Sequence, residues 1–197
     1  MPQLQLANGF GERQFAYSTG KGVRDALALS VLSWLLGLEW GCLIGLYCSD
    51  VSGAFDRVCV LRLKAKLCRA GIHQRICFLL QSWLEPRRSA VVLKGTSSAP
   101  KPLQNSMYQG TVWTPPLWNI QFAHARLAVT AVGFSEVIVA DDTNCSKEFP
   151  ASTPHPVIMV RFEDCQSELH RWGAANRVCF DAGMGLVHLS AALRGPL

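Results

Sequence analysis

Two apolar segments, CLIGLYC (42–48) and VIVA (137–140), run directly into acid: the first into Ser49 and Asp50, the second into Asp141 and Asp142. Short apolar runs bounded by glycine and rich in β-branched residues read as buried strands. A carboxylate at the tip of such a strand loses hydration, and adjacent carboxylates repel each other. Two readings of Asp141–Asp142 follow. Asp-Asp-Thr-Asn is good turn chemistry, because Asp and Asn side chains bond nearby backbone groups; a divalent cation would equally offset the repulsion. Asp50 and Asp141 are 91 residues apart, so spacing alone does not show that they meet. If the two strands lie side by side and end at the same edge, three carboxylates converge, and hard oxygen ligands of that kind suit Mg²⁺. Two such ions about 3.5–4 Å apart are the usual arrangement for in-line attack at phosphorus.

With 197 residues and 49% hydrophobic content, the chain can build one sizeable core and falls outside the disordered class. Its net charge of +5 is uneven: from Arg57 to Lys101 ten Lys or Arg face one acid, Glu85. A polyanion partner or a solvated helix face accounts for that block. The eight cysteines lack any CxxC pair and no secretory signal opens the chain, which indicates reduced thiols and an intracellular protein. Cys165 and His170 stand at helical spacing and read as structural. The most apolar stretch, residues 26 to 50, supplies 13 residues (Ala26 to Leu38) before Glu39, short of the roughly 20 a bilayer core needs. It reads as a helix over about 22–36, a turn and a strand over 42–48, with no membrane span.

Elsewhere the pattern predicts helices over about 58–70 and 73–84, a strand over 89–94, and a helix from Pro115–Pro116 to about Val132. In the first, Cys59, Leu63, Leu67 and Ala70 form a core-facing stripe that leaves Arg62, Lys66 and Arg69 outward. Residues 149–161 hold three prolines and read as a surface connection before a helix over about 163–175. Trp113 and Trp118 suit either base stacking or the core.

Five blocks in order, GKGVRDALAL, SDVSGAFDRV, YQGTVWTPPLWN, VIVADDTNC and ELHRWGAANRVCFDAGMGLVHLS, resemble the reverse transcriptase domain of non-LTR retrotransposons from about residue 14 to residue 190. The resemblance implies an α+β fold: a polymerase palm with partial fingers, its antiparallel sheet packed on helices, forming a single partial domain over 1–197 without thumb, endonuclease or RNase H. It further implies that Asp50 and Asp141 bridge two Mg²⁺ (or Mn²⁺) ions, with Asp142 supporting and the Val51 carbonyl as a further ligand. Phe55 then falls where the family packs an aromatic under the nucleotide sugar, favouring dNTP over rNTP, and Gln109 and Gly110 fall where it meets the incoming nucleotide. RNA template, DNA primer and dNTP are the implied partners, with Arg87, Arg88 and Lys94 near nucleic acid. The family's life cycle implies the nucleus, although no basic cluster resembles an import signal. Two departures weigh against activity: Thr114 stands where the family has Gly, and Met184 where it has the Lys proposed to protonate pyrophosphate, which leaves Lys147 or a water as the substitute acid. A non-catalytic remnant that binds nucleic acid through the basic central block is the competing expectation.

Overall fold

The computed structural model describes residues 9–85, 87–103, 107–181 and 186–189. The fold is α+β. Its centre is a four-stranded antiparallel sheet in the order β6-β7-β1-β8, formed by β1 (Cys42–Ser49), β6 (Ser135–Val139), β7 (Asp142–Pro150) and β8 (Leu186–Leu189). The two acid-tipped strands are therefore not side by side as expected. Between them runs β7, whose alternation of polar and buried residues (Thr143, Cys145 and Phe149 inward) gives no apolar run in the sequence. The outer edge of β6 is covered by the segment around Gln14, which forms an isolated parallel bridge with Ile138.

Helix α1 (Val23–Glu39) packs on β1 and β6 across one face of the sheet, starting from a bond between the Gly22 N–H and the Asp25 carboxylate at 2.7 Å. It turns its small residues Ala26, Ser30 and Gly37 inward, and leaves Leu27, Leu32 and Trp40 exposed. No helix among the described residues is long and apolar enough to cross a membrane.

The other face carries the main core. Helix α6 (His155–Asn176) lays Ile158, Phe162, Cys165 and Leu169 into it. Gly45 of β1 makes room for this helix: an added Cβ there would lie 2.4 Å from Phe162 Cζ. The helix begins eight residues earlier than the sequence reading, because Pro154 at its N-cap and Pro156 in its first turn start a helix rather than break one.

Helices α2 (Val60–Arg69) and α3 (Gln74–Leu84) pair beside this core. Leu63 and Leu67 face inward while Arg62 and Arg69 face out, as the stripe predicts; Lys66, expected outward, is instead half-buried. The strand expected at 89–94 is instead two small antiparallel ribbons: β2 (Arg87–Ser89) with β5 (Lys101–Leu103), and β3 (Val92–Leu93) with β4 (Thr96–Ser97). The single helix expected to reach Val132 is two, α4 (Thr114–Phe122) and α5 (Ala125–Ala131). The Lys66 ammonium bonds the Gln121 carbonyl, the acceptor a continuous helix would give to residue 125. Burial, reinforced by Arg62, lowers the Lys66 pKa to about 8.

Candidate nucleotide and metal site

β1 and β7 run antiparallel with Ser49 opposite Thr143, so Asp50 leaves β1 where Asp142 enters β7. Beyond Ser49 the chain stays tied down: the Asp181 N–H donates to the Asp50 carbonyl at 2.9 Å, and the Ser52 N–H to the Cys179 carbonyl at 2.8 Å. The Asp50 carboxylate accepts the Val51 N–H at 2.7 Å. On the other side, β6 and β7 are joined by a two-residue turn, Ala140–Asp141, between Val139 and its partner Asp142. Ala140 has φ 60°, the positive value that a type II′ hairpin turn needs at its first central residue. A residue with a Cβ is strained there, at a cost of about 1–3 kcal/mol. The turn reading therefore holds for Asp141, while Asp142, Thr143 and Asn144 already belong to β7.

Asp141 and Asp142 are each perturbed by burial and by neighbouring charge. Burial is the first cause that pushes the Asp141 pKa up; its own backbone amide opposes that, and the charges of Asp50 and Asp142 add to it. Asp142 is pushed up by burial and then by Asp50. Carboxylates in this state are the right chemistry for a hard divalent cation. They are not a ready-made cage: among the described residues no three His, Cys, Asp or Glu side chains are gathered to hold a metal.

A cleft of about 480 Å³ is lined by Tyr17, Phe55, Gln109, Gly110, Thr111, Val112, Thr114 and Pro115, and by none of the three acids. It brings together Phe55, Gln109 and Gly110. Phe55 sits in a 3-10 turn (Ala54–Asp56) whose carbonyl accepts the Met107 N–H at 2.7 Å, and its ring packs on Trp118 with centroids 5.4 Å apart. Gly110 takes φ 83°, which turns the loop at the cleft wall. Thr114 is buried; its hydroxyl bonds the Tyr108 carbonyl and lies 2.9 Å from that of Thr111, tying the loop to the start of α4. Trp118 is fully buried in the core, while Trp113 is 46% exposed.

Lys147 does not serve as a substitute acid. It lies opposite Gly45, about 17 Å along β7 from Asp142 at roughly 3.4 Å per residue. Its ammonium donates to the Val132 carbonyl at 3.1 Å. Met184 lies outside the described residues. All eight cysteines are free thiols, and His170 stacks on Phe180 rather than reaching Cys165 for a ligand pair. Two participants carried no signal in the sequence: Gln14, a buried amide from a polar stretch, and Tyr17, at the mouth of the cleft.

No family model and no curated protein matches the chain. Its fold is similar to that of telomerase from Candida tropicalis in a structure that contains the TWJ fragment of telomeric RNA: TM-score 0.60 at 13% identity, over 85% of this chain. The chain spans 29% of the length of that telomerase chain. The likeness is one of fold: this α+β chain resembles part of that telomerase chain.

Proposed function

We propose that this chain carries a reverse-transcriptase-type site for adding deoxynucleotides to a DNA 3′ end on an RNA template, of the kind found in non-LTR retrotransposons. The observation that supports this most is the arrival of Asp50 at the Asp141–Asp142 turn, 91 residues away in the chain, together with a cleft that gathers Phe55, Gln109 and Gly110. Asp50 and Asp141 would hold the ions, with Asp142 supporting. Mg²⁺ or Mn²⁺ bound there would lower the pKa of the primer hydroxyl and neutralise the departing pyrophosphate. Phe55, held by Trp118, would stand against the sugar and reject a 2′-hydroxyl, while the Gln109–Gly110 loop would approach the base or phosphate. The likeness to a telomerase fold solved with RNA supports nucleic acid as the partner.

Primer extension on an RNA template with Mg²⁺ or Mn²⁺ tests the reading. Incorporation of dNTP in preference to rNTP, abolished in Asp141→Asn and less selective in Phe55→Ala, is expected. No incorporation by this chain, nor by a Met184→Lys/Thr114→Gly version, would contradict a polymerase.

A second reading rests on a separate observation. Arg62, Arg69, Arg75 and Lys94 are exposed and none is in a salt bridge, the ion pairs among the described residues being Arg161–Asp164 and Arg171–Glu168. Such a surface suits sequence-independent phosphate contacts. Salt-sensitive RNA binding without incorporation, unchanged by substituting the aspartates, would select a non-catalytic binding protein.

A further inference from the structure

The turn that carries Asp141 is fastened from two directions by side chains far away in the sequence. The Gln14 amide bonds both polar groups of Ala140: its Nε2 donates to the Ala140 carbonyl at 3.1 Å, and its Oε1 accepts the Ala140 N–H at 3.0 Å. The same Oε1 accepts the Ala16 N–H at 3.0 Å. From the opposite side the Trp118 indole N–H donates to the Ala140 carbonyl at 2.9 Å. Gln14 is 3% exposed and Trp118 is not exposed at all, so water does not compete for these bonds.

The edge of the sheet does not need the Gln14 side chain. Backbone bonds already close it, from the Ile138 N–H to the Arg13 carbonyl at 2.9 Å and from the Phe15 N–H to the Ile138 carbonyl at 2.8 Å. What the amide adds falls on one residue, the one whose backbone is held at positive φ next to Asp141. Trp118 in turn touches Phe55 in the cleft wall. A single buried unit therefore runs from the acidic turn to the nucleotide cleft.

We infer that Gln14 and Trp118 are positioning residues: their three bonds to Ala140 fix the turn that presents Asp141, and the Trp118–Phe55 contact links that turn to the cleft wall. The inference rests on the proposed metal site. Two conservative variants separate bonding from packing. Gln14→Met fills the same space without an amide, and Trp118→Phe keeps an aromatic ring without its N–H. Leu67→Ala, a core cavity in α2 that removes no bond to Ala140, controls for general loss of stability.

Free Mn²⁺ is followed by electron paramagnetic resonance during titration of the full chain. Trp118→Phe should weaken Mn²⁺ binding about 10-fold, the effect of one lost buried hydrogen bond, and Gln14→Met, which removes two bonds to Ala140, at least as much, while Leu67→Ala binds like the unaltered chain. Equal affinity in all of these, with Asp141→Asn still losing the ion, overturns the inference and leaves the metal site standing. If the unaltered chain binds no Mn²⁺, the metal site fails, and amide exchange decides the positioning. Faster exchange at Ala140 in Gln14→Met, with Ile138 still protected, supports the clamp; unchanged exchange at Ala140 overturns it.

Discussion

Asp50, Asp141 and Asp142 stand at strand ends whose neighbours Ser49, Val51 and Thr143 are all buried, whereas Gln109, Gly110 and Val112 stand on a surface loop, Val112 at 90% exposure. The first group is placed by sheet register, by bonds to residues 179–181 and by the contacts on Ala140. The second is placed by a few local bonds around Thr114. A repelling set of carboxylates springs apart unless the backbone beneath it is over-determined. Under the proposed function the loop would receive changing nucleotides and needs no such stiffness.

Trp118 touches both halves, so replacing it should break the contrast most. Trp118→Ala should lose about 3–5 kcal/mol, as expected when a fully buried large aromatic is removed, read as a lowered urea midpoint. If the loss is below 1 kcal/mol, the two halves are not joined through this ring.

Gly45→Ala strikes only the sheet side. Its Cβ would meet Phe162, and overpacking of this kind costs about 1–3 kcal/mol. The same urea titration checks it.

Asp141→Asn should act in the opposite direction. Because Asp141 and Asp142 bind their protons more tightly in the fold than in the unfolded chain, metal-free stability should fall as pH rises through and above the ordinary carboxylate value of 3.8. Asp141→Asn should therefore be more stable than the unaltered chain at neutral pH and equal to it in acid. Thermal unfolding from about pH 3 to about pH 8 checks both signs. A variant that is less stable at neutral pH would mean that the turn, not the charge, dominates at this position.

The loop half should be nearly silent. Val112→Ser should change stability by no more than about 0.5 kcal/mol, whatever it does to nucleotide affinity. A large loss would show that the loop is part of the rigid frame.

The elements with one-sided or uninterrupted patterns were legible in the sequence. Strand β1 and helices α1 to α3 lie within a few residues of their expected bounds, because their burial follows a single period. Strand β7 was not, since it is half polar, and without it the neighbours of β1 could not be named. The start of α6 was hidden by prolines that act as a beginning rather than a stop. The break between α4 and α5 was not legible, and the carbonyl freed there is met by Lys66 from another helix. For the site, the acids, Phe55, Gln109 and Gly110 stood out through motif resemblance, and the fold brings the acids to one sheet end and the other three to one cleft. Gln14 was invisible: its partner is 126 residues away, and no local pattern distinguishes a buried amide from a surface one.

Calorimetric titration of Mn²⁺ into the unaltered chain, Asp50→Asn and Asp141→Asn bears most directly on the shared acidic site. Saturable binding that is lost in both variants is the predicted result. Identical heats in all three proteins would contradict a site shared by Asp50 and Asp141.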